Sequence, residues 1–199
     1  MWNNKKRRGR LFIVSGSSGS GKTTLLEMLR GKKDFHKSLA KIVTVTTRVP
    51  RSMERNGRDY HFISKAEFLR RKARGEFAES EQIYGEYYGT PKKDLEMILR
   101  KGNDALLCVD VKGALSLKRL FPKATVLIFI AAPSLKNLKD RLKRRLSETT
   151  ESMRKRLIIV KDEMRFARYY HYVIVNEVLS QALKNLSAVI LAERLRVDS

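Results

Sequence analysis

A chain of 199 residues is long enough to bury one sizeable core, and 42% hydrophobic with 32% charged residues excludes a disordered chain. A single cysteine, Cys108, excludes a disulfide framework within the chain and points to a reducing compartment, the cytoplasm, while no apolar run is long enough to span a membrane. Lys and Arg number 43 against 21 Asp and Glu, a net charge of +22, which implies polyanionic partners (nucleotides, nucleic acid or an anionic surface) and leaves the motifs to choose among them.

In chain order, residues 1–9 read as a basic tail; Lys5, Lys6, Arg7 and Arg8 precede an apolar run too short for a secretion signal. Leu11–Val14 is wholly apolar, as in a buried parallel strand, and Lys22–Arg30 turns helical with Leu25, Leu26 and Leu29 on one face. Ile42–Val45 reads as a second strand. Tyr60–Ile63, Phe77–Ile83 and Tyr87–Tyr88 read as short strands around turns, with helices over about 65–74 and 92–100. Three further apolar runs follow, Ala105–Val109, Val126–Ile130 and Tyr172–Val175, and a helix over 179–195 closes the chain. Apolar strands alternating with helices predict a parallel sheet covered on both faces. Two segments break the rhythm, about 43–100 and the very basic stretch of about 135–168. Insertions in such folds sit at the carboxyl ends of the strands, where ligands bind, so both are expected to handle substrate.

Between the first strand and the first helix runs Gly16-Ser17-Ser18-Gly19-Ser20-Gly21-Lys22-Thr23, a match to G-x-x-x-x-G-K-[ST]. The glycines let backbone N–H groups close around phosphate oxygens, and the helix offers its positive end to the same anion. Lys22 reaches β- and γ-phosphates in such a loop, and Thr23 presents its hydroxyl to Mg²⁺. The strand–loop–helix context is the one the motif demands, so a nucleoside triphosphate site is expected here, with Thr24 beside it.

The second informative stretch is Thr46-Thr47-Arg48-Val49-Pro50-Arg51, continuing through Glu54, Gly57, Asp59 and Tyr60 to Phe62. Arg48 and Arg51 stand three apart across a stiffening proline, and two planar guanidinium forks suit a doubly charged phosphate monoester. Glu54 can hold those forks in place and Tyr60 adds an O–H donor.

This stretch resembles the GMP-binding segment of guanylate kinases, whose pattern runs T-T-R-x-P-R-x-x-E-x-x-G-x-D-Y-x-F. Further segments match in order: Glu76-Phe77-Ala78-Glu79, Gly85-Glu86-Tyr87-Tyr88-Gly89-Thr90, Val109-Asp110 with Gly113, Pro133-Ser134 followed by Arg141, Leu142 and Arg145, and Val173-Ile174-Val175-Asn176. The resemblance covers roughly residues 10–195. It implies a P-loop three-layer α/β/α fold with a central five-stranded parallel sheet, residues 10–199 forming one domain with a GMP-binding region (43–100) and a lid (135–168). The implied activity is transfer of the γ-phosphoryl group of ATP to GMP and dGMP with Mg²⁺, in a monomer or homodimer.

Site roles carried by the resemblance follow residue by residue. Gly16 through Thr24 would hold ATP, with Asn176 near the adenine. Arg48, Arg51, Tyr60 and Tyr88 would hold the GMP phosphate, while Thr44, Glu79 and Thr90 would read the base with Asp110 nearby. Chemistry agrees for Glu79: the pairing edge of guanine offers two adjacent donors that one carboxylate accepts, whereas adenine presents an acceptor there. Such hydrogen-bonded sites reject a mismatched analogue by about 10⁴-fold or more. Arg141 and Arg145, four apart on one helical face, and Arg156 on the next helix would close over the phosphates with Lys22 as the catalytic cations. No histidine or cysteine catalysis is expected, and His36, His61 and His171 read as structural or surface.

The chain departs from the family pattern at Cys108, where an aspartate is usual two residues before Asp110. Metal placement is therefore expected on Thr23 and Asp110, the latter through water. Arg144 and Leu146 stand where the family's lid favours a glycine-containing turn. Three alternatives remain. A catalytically weak guanylate kinase-like module would bind acidic or phosphorylated peptides in the GMP cleft, against which Lys22 and the lid arginines argue. An ATP-using nucleic-acid-binding protein would explain the charge, but no RNA module or helix-turn-helix signature is present. Specific nucleic-acid recognition is not expected; non-specific phosphate contacts that fade with salt can coexist with a kinase. A P-loop kinase for a sugar phosphate fits Glu79, Thr90 and the T-T-R-x-P-R run poorly.

Overall fold

The computed structural model describes residues 9–36, 38–134, 136–138, 140 and 164–197. The expected lid arginines Arg141, Arg145 and Arg156 lie outside the described residues, as do Arg144 and Leu146.

Strand β1 (Leu11–Ser15) is buried throughout and splits its side chains between two cores. Phe12 and Val14 join one core and Leu11 and Ile13 the other, the period of two expected of a strand covered on both faces. Helices α1 (Lys22–Gly31), α2 (Lys33–His36) and α6 (Leu179–Leu195) contribute Leu25, Leu29, Phe35, Leu186 and Ile190 to the first core. Helices α4 (Lys92–Arg100) and α5 (Val111–Leu120) contribute Leu95, Leu99, Ala114 and Leu117 to the second. The central sheet is five-stranded and parallel, in the order β2 (Leu39–Lys41), β7 (Asp104–Cys108), β1, β8 (Thr125–Ala131) and β9 (Tyr172–Val175). The layered α/β/α architecture is the one expected. Truncating Leu25, fully buried on α1, to alanine would cost about 2–5 kcal/mol and loosen the helix that heads the phosphate loop.

A second sheet has the order β4 (His61–Phe62), β3 (Val45–Thr46), β6 (Glu86–Pro91), β5 (Phe77–Ile83). Strands β3 and β4 are parallel, so the chain must cross over between them, and residues 47–60 make that crossing as a loop. Helix α3 (Lys65–Ala73) packs on this sheet through Phe68, stacked 4.6 Å from the Phe77 ring and 5.3 Å from the Tyr87 ring.

One expected strand does not form. Of the run Ile42–Val45 only Val45 lies in a strand: β2 ends at Lys41 in the central sheet and β3 starts at Val45 in the second. Ile42 still donates its N–H to the Leu106 carbonyl and packs in the core, so the run is apolar because it passes between two sheets. Strand β7 starts one residue earlier than its apolar run because the Asp104 carboxylate is satisfied, accepting the Arg10 N–H at 2.9 Å and the Arg194 Nε–H at 2.8 Å. His171 Nδ1 accepts the Leu127 N–H at 3.0 Å, a structural role. Among the described residues no helix is long and apolar enough to cross a membrane.

Candidate active site

The phosphate loop leaves the carboxyl end of β1. Gly16 and Gly21 have φ of 140° and 91°, backbone that side chains resist, and neither has room for a Cβ. A methyl at Gly16 would meet the Ile130 carbonyl oxygen at 2.1 Å, and one at Gly21 the Asn176 amide nitrogen at 2.3 Å. The loop is braced from below: buried Asn176, just past β9, donates from Nδ2 to the Ser20 carbonyl at 2.8 Å and from its own N–H to the Ala131 carbonyl. Asn176 thus meets the loop as a prop under its backbone. Lys22 Nζ donates to the carbonyls of Gly16 (2.5 Å) and Ser17 (2.9 Å), which folds the ammonium over the loop it belongs to. Thr23 and Thr24 stand exposed at the head of α1.

Thr23 and Thr24 form one wall of a cavity of about 800 Å³, and Thr44, Arg51, Glu54, Tyr60 and Cys108 also line it. Arg48, at the end of β3, is oriented by three acceptors. Its Nη2 donates to both Glu54 oxygens at 2.8 Å and its Nη1 to the Val49 carbonyl at 2.7 Å. Burial works against the guanidinium charge, but the bonds to Glu54 outweigh it and hold the group above its ordinary pKa. Glu54 also accepts the Arg51 N–H at 2.9 Å, with Arg51 Nη1 4.0 Å from its other oxygen. The Arg51 guanidinium stays open to solvent, its side chain 64% exposed. Tyr60 lies under the Arg48 guanidinium, 5.6 Å from ring centre to carbon, and edge-on to Tyr88 at 6.1 Å. Burial pushes the Tyr60 phenol well up, so it remains a donor.

A second cluster gathers around Glu79. Strands β5 and β6 pair Glu79 with Thr90, after a bulge between Phe77 and Glu79 that re-aims the carboxylate. The Thr90 hydroxyl donates to Glu79 Oε1 at 2.5 Å, and both residues are buried. Burial pushes the Glu79 carboxyl up to about 7; the Thr90 bond opposes this and nearby Asp110 adds to it. Asp110 caps α5, its Oδ1 accepting the Gly113 N–H at 2.9 Å, and burial raises its pKa as well. Neither Glu79 nor Asp110 is part of the lining of the large cavity. Burial pushes the Cys108 thiol up against the opposing pull of Lys22 and Lys41, so the position carries no charge. The described residues hold no group of three or more His, Cys, Asp or Glu suited to a metal ion.

The chain matches the guanylate kinase family model over residues 8–193. It is 42% identical to the guanylate kinase of Clostridium perfringens strain SM101, over 98% of this chain and 88% of the relative. It is 39% identical to that of Caldanaerobacter subterraneus subsp. tengcongensis, over 97% and 92%. The chain belongs to the guanylate kinase family. The crystal structure of guanylate kinase from Anaplasma phagocytophilum superposes with a TM-score of 0.77 at 32% identity, covering 96% of this chain and 88% of that one. A guanylate kinase fold thus accounts for the parallel sheet and for the layers that flank it.

Three features of the site escape sequence reading. Thr46 and Thr47 stitch β3 to β6: Thr46 Oγ1 donates to the Tyr87 carbonyl at 3.0 Å, and Thr47 Oγ1 accepts the Tyr87 N–H and donates to Glu86. The paired threonines were visible, but not what they hold. Lys41 lines the cavity, donates to the Arg58 carbonyl at 2.5 Å and has its pKa lowered by burial against the pull of Asp59. As one of 43 cationic side chains it carries no local signal. Gly113 is the third.

Proposed function

We propose that the protein transfers the γ-phosphoryl group of ATP to GMP, giving ADP and GDP. The observation that carries this reading is one cavity walled both by the head of α1, beside the phosphate loop, and by the Arg51–Glu54–Tyr60 edge of a phosphate clamp. In this reading Gly16 through Thr24 cradle the ATP phosphates, with backbone amides and the α1 dipole meeting the anion. Lys22 exchanges its carbonyl partners for phosphate oxygens. Arg48, Arg51, Tyr60 and Tyr88 hold the GMP phosphate, with Glu54 keeping the forks aligned before the ligand arrives, which lowers the cost of ordering them.

Glu79, ionised, accepts the two adjacent donors of guanine, while Thr90 and Thr44 complete the base site and Asp110 supports it. Each carboxylate oxygen has two lone-pair sites, so the Thr90 bond leaves room for the base. Residues 43–100 serve as the GMP-binding region and 135–168 as a lid whose Arg141, Arg145 and Arg156 stabilise the transferring group. Phosphoryl transfer asks the protein mainly for positioning and charge, and the cations supply both. Mg²⁺ bound with ATP would neutralise phosphate charge; the exposed Thr23 hydroxyl would hold it, with Asp110 through water. Asn176 supports ATP binding by bracing the loop. Cytoplasmic residence fits the lone cysteine.

The test is an acceptor panel (GMP, dGMP, AMP, IMP, UMP, buffer alone) with ATP and Mg²⁺, following ADP and the diphosphate product. GMP-dependent ADP with matching GDP is expected; folded protein that forms no GDP refutes the reading.

A further inference from the structure

Gly113 sits in the first turn of α5 and has ordinary helical backbone, so the glycine is not there for its conformational freedom. It is there for space. A Cβ on Gly113 would lie 2.8 Å from Glu79 Oε2, 3.2 Å from Glu79 Cδ and 3.0 Å from Asp110 Oδ1. Contacts below 3.0 Å essentially never occur at a real Cβ, so a side chain here must displace something. The Glu79 carboxylate is the nearest candidate and is already held from the other side by Thr90. Asp110 is less free, because its Oδ1 caps the same helix through the Gly113 N–H.

We propose that Gly113 is a positioning residue for acceptor recognition: its missing side chain is the notch that seats Glu79 Oε2 against the first turn of α5. This rests on the reading of Glu79 as the residue that selects guanine. The helix would prefer alanine at this position, since glycine is the poorer helix former. Fold and recognition therefore pull in opposite directions at one residue, and that opposition is measurable.

Gly113→Ala is expected to melt within about 4 °C of the unsubstituted chain, since the gain in helix propensity offsets the cost of displacing the carboxylate. Its kcat/KM for GMP should fall about ten- to a hundredfold, the scale of a small misplacement of a substrate-positioning group, with KM for ATP unchanged. A double-mutant cycle with Glu79→Gln identifies the route. If Gly113 acts through the carboxylate, Gly113→Ala costs little more once Glu79→Gln is in place. Unchanged GMP kinetics in Gly113→Ala while Glu79→Gln loses GMP would overturn the proposal and leave the reading of Glu79 standing. So would full additivity of the two losses. Unaltered GMP selection in Glu79→Gln would instead overturn the reading of Glu79 itself.

Discussion

Arg48 Nη2 donates to both carboxylate oxygens of Glu54 at 2.8 Å, a bifurcated ion pair. The two side chains are 20% and 18% exposed, so solvent screens the pair only partly. Glu54 thereby holds the guanidinium in place before any phosphate arrives. Glu54→Gln keeps the shape and removes the charge, losing a charge-assisted contact of about 1.5–3 kcal/mol. GMP kcat/KM is expected to fall roughly ten- to a hundredfold, with KM for ATP within about twofold of the original. Steady-state kinetics with each nucleotide varied in turn checks this; an unaltered GMP constant would remove Glu54 from the clamp.

Glu79 predicts a pH dependence with a definite sign. Its folded pKa is raised from 4.5 to about 7, so between these values the folded chain keeps a proton that the unfolded chain has lost. The ligand-free protein should therefore lose stability as pH rises from about 4.5 to 7, by at most about 3 kcal/mol in this group. Glu79→Gln should flatten that slope and melt higher than the original at pH 8. Binding runs the other way, because GMP needs the ionised carboxylate: KM for GMP should fall as pH rises through 7. The GMP phosphate also titrates near pH 6, so the profile is compared with that of Glu79→Gln, which retains the phosphate titration but lacks this carboxylate. Identical profiles for the two proteins would refute the assignment.

Asn176 braces the phosphate loop through a buried bond from its Nδ2 to the Ser20 carbonyl. Asn176→Ala leaves that carbonyl without this donor, at a cost of about 1–3 kcal/mol to stability. Since the loop is what loosens, KM for ATP should rise by about five- to tenfold while KM for GMP is nearly constant. Thermal melts and two-substrate kinetics test it. An equal rise in both constants would point to general damage.

Cys108 lies on the cavity wall within electrostatic reach of Lys22 and Lys41. Cys108→Asp adds a carboxylate where cations already face it. Turnover measured across a Mg²⁺ titration is expected to be unchanged or raised, with a lower Mg²⁺ requirement. A fall of more than about tenfold would mean the neutral thiol is needed where it stands.

Some of this was legible in the chain because its cause is local. Four of the five central strands announced themselves as apolar runs, and β1, β7 and β8 did so because a strand covered on both faces has no polar side to show; β2, a three-residue edge strand ending in Lys41, did not. The phosphate loop was readable because its glycines, lysine and threonine act within one turn. Arg48 and Glu54 are six residues apart and meet within one loop, so their pairing could be anticipated. The run Ile42–Val45 misled for a related reason: both sheets need apolar residues at their junction, and composition does not mark where one ends.

What the linear order of residues determined by itself is the chemistry available: a phosphate-cradling loop, paired guanidinium forks and a carboxylate suited to guanine. Only the tertiary structure decided which distant groups touch. Ser20 and Asn176 are 156 positions apart, yet their hydrogen bond supports the loop because β8 and β9 run side by side. Glu79 meets Thr90 because a bulge sets the register of β5 on β6. Gly113 makes room for Glu79 because α5 packs against β5. Such contacts depend on how close two elements approach, a distance set by the packing of the whole core, and no local pattern in the chain encodes it.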